Sequence, residues 1–214
     1  EELRILSESL KNTYRRPLSS ADLLTAVSFV NAFKDAAQTL YSCRVVDPSL
    51  VPYSEVARMV REFLTIPSTS TVDQISKSAS AALQMLDGRD QLSVAKSLQK
   101  GLLSGTISDF EIAAESDIPR ILVMGGMIEP QAIASLFKSL TKFGDAAIVL
   151  DLLSLGFKTV FNPPVNLEGD FFDAMSRSIL GAPSEPTQEG LRGRLGFVKL
   201  LLSKLSFDGV VVCE

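Results

Sequence analysis

The chain has 214 residues, 46% of them hydrophobic, with 21 basic and 25 acidic side chains, two cysteines and no histidine. A net charge of -4 does not favour a general polyanion binder. The lack of histidine excludes Ser-His-Asp and Cys-His catalytic sites, zincin-type zinc sites and histidine-held haem within this chain.

Apolar residues recur at helical spacing throughout the first half of the chain. The clearest helix follows Ser20, is predicted for residues 21–42 and ends before Asp47 and Pro48. A shorter helix is predicted around residues 3–14. Three further amphipathic segments, near 54–66, 72–86 and 91–103, complete a first half of five helices with short connections.

The second half repeats this pattern after a break rich in glycine and acidic residues. Helices are predicted near 129–140, 146–155, 171–179 and 191–205, and the apolar runs 121–124 and 210–212 are long enough for short strands. The prediction is a mainly α protein of about nine helices, packed as helical hairpins with at most very short strands. Helical halves 1–104 and 119–214 are joined by 105–118, or the chain forms one continuous domain.

A weak internal repeat suggests an alternative fold. Four turns contain an aspartate followed by an apolar residue, an outline that resembles EF-hand helix-loop-helix units; the pairs are Asp47 with Val51, Asp87 with Leu92, Asp145 with Ile148, and Asp208 with Val211. The resemblance implies two short ladders, one pairing Val51 with Leu92 and the other Ile148 with Val211. The ligand pattern of a calcium loop fails at each place: in the last unit Lys204, Ser206 and Asp208 fall on the first three ligand positions with no glutamate at the twelfth, and the second loop is too short. Such a degenerate EF-hand domain should therefore not bind calcium.

Residues that could carry chemistry are few. The run from Ile121 to Gly126 is typical of a strand-glycine-helix turn, but it lacks both common phosphate-binding motifs, so an ordinary structural turn is predicted. Two acidic clusters favour helix capping or solvation over metal binding; they are Asp109, Glu111, Glu115 and Asp117, and Glu168, Asp170 and Asp173. We therefore predict no catalytic residue, no cofactor and no metal.

The two cysteines, Cys43 and Cys213, lie far apart in the sequence and form no C-x-x-C motif. A disulfide between them is arithmetically possible. Their apolar flanks favour free thiols in the core.

Together these features predict a non-enzymatic helical protein-protein interaction module, an accessory or structural subunit of a larger complex. Its partners are expected to be other protein subunits, not nucleic acid. Phe171 and Phe172, beside a proline-rich loop, are the predicted partner-binding residues because an exposed aromatic pair needs cover. No membrane span is predicted, although a membrane-associated complex is compatible with the sequence.

Two alternative functions remain open at this point. One is a helical-repeat RNA-binding protein, since residues 129–157 resemble one helix-turn-helix unit of such arrays. The other is a regulatory EF-hand-like domain without calcium binding. The compartment is unknown; the sequence does not begin with methionine, and an organelle after removal of a targeting peptide is one option.

Overall fold

The computed structural model describes residues 1–15, 19–86, 88–107, 118–140, 146–166, 169–181 and 191–213. Within these residues there are nine helices and three strands. The helices are α1 Glu2–Tyr14, α2 Ser20–Val46, α3 Tyr53–Thr65, α4 Thr69–Met85, α5 Gly88–Ser104, α6 Pro130–Leu140, α7 Phe157–Phe161, α8 Phe171–Leu180 and α9 Leu191–Lys204. The strands are β1 Arg120–Gly125, β2 Ala147–Leu152 and β3 Gly209–Cys213. The prediction of a mainly helical protein is confirmed.

Helix α2 is the centre of the helical part. It begins at a capping box, in which the Asp22 N–H donates to Ser19 Oγ and the Ser19 N–H donates to the Asp22 carboxylate. From Phe33 to Val45 nearly every side chain is buried, so α2 is covered on all sides in this part. Helices α4 and α5 both pack mainly on α2, whereas consecutive helical hairpins were predicted.

The three strands form one parallel sheet in the order β2-β1-β3. Helix α6 makes the crossover from β1 to β2, as a parallel pair requires. Leu122 and Leu150 belong to the main core, which includes residues of α2 to α5, α7 and α9. Val123 and Ile148 belong to a second core cluster with α3 and α6. The sheet therefore lies between two helical layers.

The prediction of a helix at residues 146–155 is wrong, because this segment contains strand β2. Five of its six residues are buried. A parallel strand that is covered on both faces reads as a continuous apolar run, and over so few residues its periodicity does not separate it from a buried helix. The apolar runs 121–124 and 210–212 are the strands β1 and β3.

The EF-hand alternative is also wrong. Ile148 pairs with Ile121, and Val211 pairs with Val123, both in parallel register. Paired EF-hand loops would instead form an antiparallel ladder between Ile148 and Val211. Leu92 lies inside α5, away from any strand. Most of the proposed boundary segment 105–118 lies outside the described residues, so the division into two halves stays a prediction.

Among the described residues, no helix has the length and apolar character needed to cross a membrane.

Candidate functional site at the carboxyl edge of the sheet

The carboxyl ends of the three parallel strands lie at one edge of the sheet. Gly125 at the end of β1 is in register with Cys213 at the end of β3, and Met124 is in register with Leu152 of β2. The chain leaves β1 for β2 on one side, while β3 lies on the other side. Such a switch in strand order is where open α/β sheets bind ligands. We call the group of residues Gly125, Gly126, Leu153, Ser154 and Cys213 the carboxyl edge; Gly125 and Leu153 are buried, and the other three are partly exposed.

Two glycines shape the carboxyl edge in different ways. A Cβ atom on Gly125 would lie 3.0 Å from the carbonyl oxygen of Cys213 and 3.0 Å from Cδ2 of Leu153. Gly125 therefore allows close packing of the strand ends. A Cβ on Gly126 would meet nothing within 4 Å. The carbonyl oxygen of Gly126 accepts a hydrogen bond of 3.1 Å from the Ser154 N–H, which ties the ends of β1 and β2 together above the sheet.

Asp151, near the end of β2, is fully buried just beneath this edge. Its Oδ2 atom accepts hydrogen bonds from the hydroxyl groups of Tyr41 at 2.5 Å and Tyr53 at 3.0 Å. Its Oδ1 atom accepts from the backbone N–H groups of Leu153 at 3.1 Å and Phe157 at 3.0 Å. The carboxylate thus joins α2, α3 and the turn from β2 to α7, and four donors satisfy it.

Burial perturbs the ionisation of this cluster. Desolvation raises the pKa of Asp151, although the hydrogen bonds from Tyr41, the two backbone N–H groups and Tyr53 oppose that rise. Desolvation and the Asp151 charge raise the pKa of both tyrosines well above the usual value. Both phenols therefore stay protonated as donors at neutral pH.

Two buried arginines anchor the backbone around the sheet. Arg44 of α2 donates to the carbonyl oxygens of Val51 and Ile148, and burial lowers its pKa to about 10. Arg120 of β1 donates to the carbonyl oxygens of Val45 at 2.6 Å and Ser206 at 2.8 Å. Both guanidinium groups thereby fix the position of α2 relative to the strands, because several carbonyl acceptors share each cation.

The two cysteines are free and occupy different environments. Cys43 is buried in the main core, and desolvation raises its pKa to about 11, as suits an inert core thiol. Cys213 is only partly buried, at the carboxyl edge, and packs against the cluster that contains Tyr53 and Val123. The prediction of free thiols agrees with the structure, but the position of Cys213 at a sheet edge was not predicted.

The predicted partner-binding residues lie elsewhere, at the start of α8. Phe171 and Phe172 form an edge-to-face pair with ring centroids 5.4 Å apart, and both are partly buried. The Arg4 guanidinium of α1 lies 5.6 Å from the Phe172 ring centroid. Part of the aromatic surface is therefore covered by the chain itself, and its role in partner binding stays a prediction.

The acidic clusters show no metal site in the described part of the chain. Asp170 caps α8 by accepting a hydrogen bond from the Asp173 N–H, and it pairs with Arg4 at 2.8 Å. This agrees with the capping interpretation. The cluster from Asp109 to Asp117 and Glu168 lie outside the described residues. Elsewhere no three histidine, cysteine, aspartate or glutamate side chains are grouped suitably for a metal ion among the residues that the structure describes.

Sequence reasoning missed the Asp151 cluster. Asp151 is the single charged residue in the apolar run 146–157, and a charge in such a run is a usable signal because buried charges need partners. The partners Tyr41 and Tyr53 are 110 and 98 residues away. No local pattern connects residues that far apart.

The fold is that of a mainly helical protein with a small parallel sheet, and the carboxyl edge of this sheet is the candidate site. The chain belongs to the family described as 2-hydroxyglutaryl-CoA dehydratase, D-component, whose model matches residues 1–214. No curated protein matches the chain.

This membership corrects the functional prediction. The chain belongs to a family of enzyme components, so the prediction of a non-enzymatic interaction module is wrong. The RNA-binding and EF-hand alternatives, and the expectation of a structural subunit in an organelle, are wrong for the same reason. The helix-turn-helix unit on which the RNA-binding alternative rested is in fact α6 followed by strand β2. The expectation of protein partners agrees with the description of the family as a component.

Proposed function

We propose that this chain is a component of an enzyme that removes water from a 2-hydroxyacyl-CoA thioester, and that the carboxyl edge faces the reacting group. The observation that carries the proposal is the switch in strand order between β1 and β3, with Cys213 and the open space at Gly126 beside it, in a chain matched throughout by the dehydratase family.

The chemistry of such a dehydration explains why no acid-base dyad is needed here. The hydroxyl group leaves from the carbon next to the thioester, and the proton leaves from the following carbon, which the thioester carbonyl does not acidify. A general base alone therefore removes that proton with difficulty, which favours one-electron chemistry supplied by a redox cofactor. The protein then contributes binding, orientation and exclusion of water.

The described residues do not form a metal site by themselves. Cys213 is the one thiol at the carboxyl edge, and no group of three metal-ligating side chains exists in the part of the chain that the structure describes. A metal cofactor at this edge would therefore need further ligands from outside the described residues. We assign no reaction step to such a group.

The chain's own residues supply a rigid platform. Asp151 holds the turn after β2 through the N–H groups of Leu153 and Phe157, so the backbone at Ser154 is fixed relative to Gly126. Gly126 carries no side chain, which leaves its backbone accessible to a thioester. Residues held in this way lose little freedom when substrate binds, which is the main requirement for positioning.

The proposal is tested with the component assembled with the other components of its native complex. The assay follows conversion of 2-hydroxyglutaryl-CoA to the unsaturated thioester by mass spectrometry. Cys213→Ser should reduce turnover at least tenfold, because it alters the carboxyl edge. The matched variant Cys43→Ala changes a core thiol and should lower stability while leaving turnover within about twofold.

Two results would contradict the proposal. If the intact complex dehydrates no 2-hydroxyacyl-CoA thioester, the proposed function is wrong. If Cys213→Ser and Cys43→Ala give equal turnover in a complex that is active, the reaction does not take place at the carboxyl edge.

The predicted partner surface has a separate test. If Phe171 and Phe172 contact another component, the double substitution to alanine should weaken association, measured by analytical ultracentrifugation, without lowering the unfolding temperature by more than a few degrees. Unchanged association would remove this surface from the proposal.

A further inference from the structure

A concave surface lies beside the start of α6, the helix that follows β1. It is a cavity of about 500 Å³ between α3 and the first turns of α4 and α6. Its polar lining includes Arg58, Arg61 and Glu62 of α3, Ser68 and Thr71 at the start of α4, and Gln131 at the start of α6. Two helix N-termini, each with a positive partial charge, therefore meet two guanidinium groups around one cavity.

Arg58 and Arg61 both have N–H donors that their ion pairs with glutamate do not use. Arg58 pairs with Glu62, and Arg61 pairs with Glu129, both at 2.6 Å. The contact with a single carboxylate oxygen uses only part of the five N–H donors that each guanidinium carries. Their side chains are 38% and 56% exposed, so the remaining donors can meet a ligand from solvent. The glutamates hold the two guanidinium groups in place.

Gln131 provides an independent sign that a polar ligand belongs here. Its Oε1 atom is buried and has no hydrogen-bond partner among the described residues. A buried carbonyl oxygen without a donor is costly unless a ligand or water satisfies it. Because Oε1 is an acceptor, it suits a ligand that brings an amino or hydroxyl group to this position.

The cavity is connected with the carboxyl edge through a short piece of chain. Glu129, which pairs with Arg61, comes three residues after Gly126 and immediately before α6. Three residues span at most about 11 Å, so a ligand with its charged end in the cavity needs a flexible arm of about this length or more to approach the carboxyl edge. A CoA thioester has this construction, with a phosphorylated nucleotide at one end and the thioester at the other.

We propose that the cavity binds the phosphorylated nucleotide end of the CoA thioester, an inference that rests on the proposed dehydratase function. Arg58 and Arg61 receive the phosphate oxygens, and the amide group of Gln131 meets a polar group of the nucleoside. The arginine positions then determine substrate affinity and take no part in the reaction at the carboxyl edge.

The test measures binding to the full chain by isothermal titration calorimetry with CoA, dephospho-CoA and inorganic phosphate. The double variant R58Q/R61Q should bind CoA at least tenfold more weakly than the wild type, since each lost contact to a phosphate is charge-assisted. The matched control R192Q changes an exposed arginine of α9 and should bind within twofold of the wild type. The wild type should prefer CoA to dephospho-CoA, whereas the double variant should not.

Equal CoA binding by the wild type and R58Q/R61Q, with unfolding temperatures that show both to be folded, would overturn the assignment. Competition by inorganic phosphate as strong as that by CoA would also overturn it, because the cavity would then be a general anion site.

Activity separates this inference from the proposed function. In the assembled complex, R58Q/R61Q should raise KM for the thioester and leave kcat nearly unchanged. An active complex with unchanged KM refutes the cavity assignment alone. CoA binding that depends on the arginines, in a complex that dehydrates no thioester, refutes the dehydratase function alone.

Discussion

Replacement of Gly156 by alanine tests the Asp151 cluster most directly. Gly156 lies in the turn from β2 to α7, and a Cβ atom there would overlap Oδ1 of Asp151 and lie 2.9 Å from its Cγ. The carboxylate has to move away, which disturbs the hydrogen bonds from the N–H groups of Leu153 and Phe157. Overpacking costs about 1–3 kcal/mol, and each hydrogen bond to a charged group contributes about 1.5–3 kcal/mol.

Since the carboxylate keeps part of these contacts after moving, we expect a loss of about 4 kcal/mol in the free energy of unfolding. For a chain of this size that corresponds to a decrease of roughly 8–16 °C in unfolding temperature. Circular dichroism during heating at pH 7 measures it. Gly196→Ala is the matched control, because its Cβ meets nothing within 4 Å in α9 and alanine is the better helix former; it should stabilise by about 0.5–1 kcal/mol.

A double-mutant cycle identifies the cause of the loss. Asp151→Ala removes the carboxylate that the new methyl group would overlap, so Gly156→Ala should cost much less in that background. An unfolding temperature of Gly156→Ala within 2 °C of the wild type would refute the reasoning. An equal cost of the glycine substitution with and without the carboxylate would show that strain elsewhere in the turn is responsible.

Three further predictions follow from the buried polar groups. Because the folded-state pKa of Asp151 is raised above 3.8, its contribution to stability is present at low pH and is lost as pH rises through the folded pKa. In urea unfolding between pH 3.5 and 7, the free energy of unfolding of Asp151→Asn should therefore rise relative to that of the wild type as pH increases. A relative decrease with pH would contradict this. Tyr41→Phe removes one of two donors to Oδ2 of Asp151 and should cost about 1.5–3 kcal/mol in urea unfolding, with a loss below 0.5 kcal/mol as the contrary result. Arg120→Met leaves two carbonyl oxygens without their donor and should lower the free energy of unfolding in urea by about 2–4 kcal/mol. Arg192→Met on the surface should change it by less than about 0.5 kcal/mol. Similar losses for the two variants would show that Arg120 does not anchor the backbone.

Most of the helices were predictable because their signals are local. The row of apolar residues in α2 lies within one element, and the observed helix extends the predicted 21–42 to Ser20–Val46, with Ser19 as the N-cap in place of the predicted Ser20. The short helix α7 was not predicted. Strand β2 was not predictable in this way, because burial on both faces removes the alternation that marks a strand. The parallel pairing of β1 with β3 joins residues nearly 90 positions apart, so it depends on tertiary packing.

The candidate site was less predictable than the fold. The run ending at Gly125 and Gly126 was recognised as a strand-glycine-helix turn, but its importance depends on Cys213 and Ser154, which only the sheet brings to the same edge. The two tyrosines that bind Asp151 come from α2 and α3, where aromatic residues at helical spacing are more often ordinary core. A constellation made from four separate elements leaves no spacing signature.

The conclusion that the protein is not an enzyme was incorrect because composition can exclude only those mechanisms that need a particular residue type. The absence of histidine excludes reactions in which that side chain moves the proton or binds the metal. It does not bear on reactions in which a cofactor carries the difficult step and the protein supplies binding and orientation. Here the residues that hold the strand ends and turns in place are glycine, aspartate, tyrosine and arginine. Each of these residue types is common in non-enzymatic proteins, so composition alone does not mark the carboxyl edge as a candidate site.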